Sequence, residues 1–145
     1  MNMRDFPSRL PLIIIFLGGM LCGCSPHPAT APVSGKVVYQ GKPLEFGSVM
    51  FQPVGGPPAR SVINSDGTFV LSTYEEGDGA TIGRHRIRVT CYESQSPDAL
   101  EESLEKEMGL GRNLIPDKYL SIDTSGLSFE VQETGHDDVL IELQD

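Results

Sequence analysis

An all-β fold, an antiparallel sandwich of seven short strands, is what this 145-residue chain predicts. Three observations point there. Short alternating runs rich in β-branched and aromatic residues recur from Val33 onward. Clusters of Gly, Pro, Asn and Asp separate them at short intervals. The stretch Arg84–Cys91 alternates so that His85, Ile87, Val89 and Cys91 share one face, and Arg84, Arg86, Arg88 and Thr90 the other.

The first strand is Val33–Tyr39, closed by the turn Gln40-Gly-Lys-Pro43. The second, Ser48–Gln52, is stopped by Pro53 and the cluster Gly55-Gly-Pro-Pro58. Ala59–Ile63 is the third, and Asn64-Ser-Asp-Gly67 turns it back, since Asp-Gly supplies the positive φ angles of a tight turn. Thr68–Thr73 is the fourth strand, followed by the polar loop Glu75–Ala80. Arg84–Cys91 is the fifth, Leu127–Val131 the sixth and Val139–Leu143 the seventh. Their alternation sends Val37, Val49, Phe51, Phe69, Leu71, Ile87, Val89, Phe129 and Ile141 inward. One segment breaks the period. Ser96 suits a helix cap, Pro97 the first helical position and Gly109 the end. Leu100, Leu104 and Met108 make a narrow apolar stripe, and Glu102 can pair with Lys106. This predicts a short amphipathic helix inserted between the fifth and sixth strands.

Ahead of the strands, Leu21-Cys22-Gly23-Cys24 resembles a bacterial lipobox, in which signal peptidase II cuts before a cysteine that becomes lipidated. The preceding residues fit a secretory signal: Arg4 and Arg9 form its basic part and Leu10–Leu21 its apolar part. That apolar stretch is well short of the ~20 residues a spanning helix needs. The organisation expected is a signal peptide over 1–23, a lipidated Cys24 with a Pro-rich tether over 24–32, and a β-sandwich domain over 33–145. A diacylated cysteine meets the requirement for more than one acyl chain in stable anchoring. The protein is thus expected in the cell envelope, lipid-anchored and facing the periplasm or exterior. Ser25–Pro32, with three prolines and no large apolar residue, reads as an extended tether reaching on the order of 25 Å at ~3.1 Å per residue.

The whole chain carries a formal charge of −9; residues 1–23 hold a net +1 from Arg4, Arg9 and Asp5, which leaves −10 on the remainder. A chain so acidic, with no basic stripe, has no electrostatic reason to bind nucleic acid. Nor does charge draw it to anionic lipid, so the anchor must hold it. With Cys22 removed and Cys24 modified, Cys91 remains alone, and no intramolecular disulfide can form. Stability must come from one packed core.

Val33-Ser-Gly-Lys-Val, Gly41-Lys-Pro-Leu, Gly47-Ser-Val-Met-Phe and Asp66-Gly-Thr-Phe, in this order, resemble the carboxypeptidase regulatory-like, transthyretin-like family. Gly77-Asp-Gly79, Gly83–Val89, Ile115-Pro-Asp-Lys-Tyr119 and Thr124-Ser-Gly-Leu127 are similar to segments of small lipoproteins abundant in planctomycete-type bacteria. The resemblance covers most of residues 33–145. It implies a seven-stranded prealbumin-like sandwich and no defined activity, because the fold hosts adhesive, structural and regulatory roles. Hydroxyisourate hydrolases of transthyretin type end in Tyr-Arg-Gly-Ser, whereas this sequence reads Ile141-Glu-Leu-Gln-Asp145 there.

The chemistry-bearing residues are sparse. No nucleophile elbow, zinc-protease motif, Walker loop or dinucleotide fingerprint occurs. His27 lies in the tether, His136 in a turn, and His85 on an apolar strand face, where it reads as structural rather than as a base. Glu75, Glu76 and Asp78, and separately His136, Asp137 and Asp138, could offer oxygens to Ca²⁺. Neither set has the loop spacing that 6–8 oxygen ligands require, so both read as solvated turns. Cys91 reads as a small buried hydrophobe. The expectation is a non-enzymatic structural or protein-interaction module with no catalytic, metal or cofactor residue, joined to the membrane through Cys24. The alternative is an extracellular ligand-binding module for glycan, peptide or Ca²⁺-dependent recognition, for which Tyr39, Tyr74, Tyr92 and Tyr119 are the candidate aromatics.

Overall fold

The computed structural model describes residues 27–99 and 109–145. Ten strands form in chain order: β1 (Thr30–Ala31), β2 (Val33–Tyr39), β3 (Lys42–Pro43), β4 (Ser48–Pro53), β5 (Ala59–Val62), β6 (Thr68–Val70), β7 (Ala80–Thr81), β8 (Gly83–Thr90), β9 (Leu127–Val131) and β10 (His136–Leu143). The seven of three or more residues fall where the alternation predicts strands. The predicted Leu100, Leu104 and Met108 stripe lies outside the described residues, as do Cys24 and the signal segment.

The strands make two four-stranded sheets and a two-stranded one, β1-β7. Of the four-stranded sheets, one is ordered β5-β4-β8-β9 and is antiparallel throughout. The other is built on β2, with β10 along one side and β3 and β6 sharing the other. Their inner faces meet in a single apolar core, giving a sandwich-like all-β body. Phe51 of β4 sits at its centre, its ring 6.2 Å from Phe69 of the opposite sheet, 6.0 Å from His85 and 6.0 Å from Phe129. Every residue of the expected inward set is buried except Phe129, which is half-buried against the core.

Four features differ from the sequence expectation. First, β10 runs parallel to β2, pairing Val139–Leu143 with Gly35–Tyr39, so the body is not wholly antiparallel. Alternation reports which face a residue occupies and is blind to strand direction. Second, ordered structure begins earlier than expected. Thr30–Ala31 pairs with Ala80–Thr81, Ala31 is buried, and the Ile82 amide donates to the Ala29 carbonyl at 3.1 Å. The ordered domain therefore starts by Ala29 rather than at Val33. Gly79 makes this possible: its φ is +84°, and a Cβ there would stand 1.8 Å from the Ala31 carbonyl oxygen. Third, His136, Asp137 and Asp138 lie not in a turn but in β10, where one extra residue between His136 and Val139 forms a β-bulge.

Fourth, the first hairpin is tighter than expected. Gln40 (φ 50°) and Gly41 (φ 75°) form a two-residue loop with both central φ angles positive, and Lys42-Pro43 folds straight back on β2. Beyond β8, Ile115 and Tyr119, carried on and beside a short 3₁₀ turn at Asp117–Leu120, are buried and cap the end of the core.

Candidate functional site

The two long sides of the sandwich are unlike. On one, Arg60 of β5 and Ser72 just beyond β6 exchange backbone hydrogen bonds of 2.9 and 3.0 Å, which ties the sheets together. On the other, β9 pairs only with β8 and β10 only with β2 among the described residues. Among the described residues this side is open, and β10 presents eight residues of unpaired backbone edge. Its bulge rests on Gly35 and is held by the Ser34 hydroxyl donating to the Asp137 carbonyl at 3.1 Å. A trough of about 430 Å³ follows β10 over the outer sheet face, lined by Ser34, Lys36, Thr68, Val70, Asp138 and Leu140. Leu140 is 62% exposed there, and Asp137, Asp138 and Glu142 make this edge acidic.

The histidines have separate structural places. His85 is fully buried, and its Nε2 donates to the Thr81 carbonyl at 2.6 Å. That bond assigns the proton to Nε2 and leaves Nδ1 buried without a partner among the described residues. His136 accepts the Gln132 amide at Nε2 (3.2 Å) and packs edge-on against Phe129, closing the β9–β10 turn. His27 packs against Tyr74 with ring centroids 4.4 Å apart and the ring planes tilted by 46°. Cys91 is buried, and desolvation pushes its thiol up to about 11, which suits packing rather than reactivity.

The four tyrosines do not share a surface. Tyr39 donates to Asp145 Oδ1 at 2.7 Å, and this hydrogen bond, followed by partial desolvation and the Asp145 charge, raises its phenol. Tyr119 both donates to the Gln144 carbonyl and accepts the Gln144 amide, each at 2.9 Å. These two clasp the last residues. Tyr92 pairs with Asn113 at the base of the insertion after β8, and Tyr74 stands at the other end, near the entering chain.

The acidic loop after β6 is organised by its own backbone. Asp78 accepts the amides of Thr73 (2.6 Å) and Tyr74 (3.0 Å), so both carboxylate oxygens are occupied. Desolvation pushes this carboxyl up, but the amides of Thr73, Tyr74, Glu75 and Asp78 itself outweigh it and hold the group below the ordinary aspartate value. A carboxyl depressed in the folded state stabilises the fold above its unfolded pKa of about 3.9, and that contribution is lost as pH falls through the folded value. Asp78→Asn should therefore lower the melting temperature at pH 6 and flatten its fall between pH 5 and pH 2. Parallel melting curves for the two proteins across that range would show that Asp78 does not hold the loop. Among the described residues, no three His, Cys, Asp or Glu side chains converge as a metal set.

At the end where the chain enters, Pro28, Pro53, Val54, Ile82 and Arg84 surround a shallow hollow. β1 fixes this geometry by pinning Thr30 to Thr81, one residue from Ile82. Cys24 precedes Pro28 by four positions. The insertion between Tyr92 and Asn113 leaves from the opposite end, beyond the C-terminus of β8.

No protein-family model matches this chain, and no curated protein matches it. Among solved structures, a DUF3823 family protein from Parabacteroides merdae ATCC 43184 is similar to it at 16% identity and a TM-score of 0.41. The match covers 81% of this chain and 47% of that one, so this chain spans about half the length of that protein.

Proposed function

We propose that this protein is an envelope lipoprotein, anchored through Cys24, whose transthyretin-like β-sandwich acts as a non-enzymatic structural or protein-interaction module. The prealbumin-like topology is part of the proposal. It is supported by the seven principal strands dividing three and four between two sheets, β10-β2-β6 and β5-β4-β8-β9. The observation that carries the interaction role is the open edge of β10. Eight residues of one-sided backbone, beside exposed Leu140 and a row of carboxylates, suit an extended segment carrying basic side chains, added as a further strand. The buried bonding of His85 supports a packing role for the histidine nearest the core.

The test has two parts. Metabolic labelling with a palmitate analogue should mark the wild type and Cys22→Ala and fail on Cys24→Ala. Label retained in Cys24→Ala would defeat the anchor. A photocrosslinker at Leu140, in intact envelopes, should capture one or a few proteins, and a crosslinker at Val62 should not. Equal capture at both positions would defeat the β10 edge as the contact. Turnover of ester, peptide or glycoside substrates by the purified protein, lost in His85→Ala, would overturn the non-enzymatic role.

A further inference from the structure

On the premise that Cys24 carries the anchor, we propose that the end of the domain where the chain enters is a bilayer-contacting face, with Val54 and Ile82 as its apolar contacts. The occupant follows from chain length. Ala29 is already bonded to Ile82, so only Ser25–Pro28 can separate the acylated Cys24 from the fold. Four extended residues at ~3.1 Å each reach about 12 Å, half the separation that a free tether over residues 25–32 would allow. The domain is thus held against the lipid surface, and the β1–β7 pairing decides which end meets it.

That end is suited to the contact. Val54 is the first residue of the β4–β5 loop, 90% exposed, between Pro53 and a Gly-Gly-Pro-Pro run that gives it no covering neighbour. Ile82, 41% exposed, borders the same hollow, and so does Pro28 on the entering chain itself. Among the described residues no carboxylate lines the hollow, and the one charged group lining it is Arg84, which has Glu130 across from it on β9. An arginine stem can lie along apolar surface with its head at lipid phosphates. Apolar side chains flanked by a basic one, beside an acyl anchor, form the kind of second signal that interfacial attachment uses.

The chain has no tryptophan, so one introduced indole is a clean reporter. Full-length acylated Val54→Trp and Val62→Trp would be purified from membranes and reconstituted into vesicles of acyl-brominated phosphatidylcholine. Val62 is 72% exposed on β5 at the far end of the β4–β5 pair, opposite Ser48. The Val54→Trp emission should shift to shorter wavelength and be lost to bromine quenching, while Val62→Trp should keep the emission it has in unbrominated vesicles. Ile82→Trp should follow Val54→Trp, which guards against a local effect of the loop substitution. If the protein floats with the vesicles but Val54→Trp is quenched no more than Val62→Trp, the docking face is wrong while the anchor stands. If it does not float, the anchor is wrong, and the docking face falls with it.

Discussion

Phe69→Ala should lower the unfolding free energy by about 3–5 kcal/mol, the range for truncating a buried aromatic. Phe69 is 1% exposed and points inward from β6, opposite Gly35. Its ring meets Phe51, which in turn meets His85 and Phe129, so one aromatic cluster links the two sheets. Gly35 has no side chain with which to fill the vacated space, and β2 cannot move inward without losing β10. The cavity should therefore persist, which places the loss in the upper part of that range. Arg86→Ala is the matched control. Its ion pair with Asp123, at 2.6 Å, is solvent-exposed on both sides, and such pairs contribute about 0.2–1 kcal/mol. Urea melts of the two variants would give these values directly. Equal losses would mean that the strand faces are reversed.

Gly35→Ala should be comparably damaging although it adds a single methyl. A Cβ at Gly35 would stand 2.1 Å from the Val139 carbonyl oxygen and 2.9 Å from Val139 Cβ. The first obstacle is backbone and cannot rotate away. To accept the methyl, β10 must withdraw from β2 just where the bulge ends and regular pairing begins. Overpacking typically costs about 1–3 kcal/mol and more where backbone must shift; here the cost should reach the top of that range or exceed it. The loss should be local as well as global. Amide exchange should accelerate along Val139–Leu143 and Gly35–Tyr39 before it does so in β4 and β8. Exchange unchanged in β10, with a melting temperature near wild type, would show that the bulge relaxes around the methyl.

The faces of the strands were legible in the sequence because alternation is a direct consequence of strand geometry. His85, Ile87, Val89 and Cys91 are all buried, and the arginines between them are not. Strand partners were not legible. Nothing in Val139-Leu-Ile-Glu-Leu143 records that it lies parallel to β2, and nothing in Asp137-Asp138 marks a bulge. The two-residue strands escaped for a different reason. Thr30-Ala31 and Ala80-Thr81 are too short to show a period, and they hold each other through backbone that any residue offers. Pro26, Pro28 and Pro32 around the first of them spoke for a tether. The open β9–β10 side and the hollow beside Val54 are properties of tertiary placement, as is the clasp of Tyr39 and Tyr119 on Gln144-Asp145. An exposed Val between Pro and Gly-Gly was the one available cue to the hollow, and by itself it reads as a loop.

The parallel pairing of β2 with β10 also imposes an order in time. The Ser34 and Asp137 segments that meet there are 103 positions apart, so the first long strand made waits for the last one. A chain that emerges N-terminus first can assemble β4, β5, β8 and β9 before β10 is made, but β2 keeps one edge bare until His136–Leu143 arrives. Closure of so large a loop is slow relative to hairpin formation. The β2–β10 pairing is thus a late step of folding, made after the β5-β4-β8-β9 sheet has its strands. A variant lacking Val139–Leu143 would leave that edge of β2 uncovered.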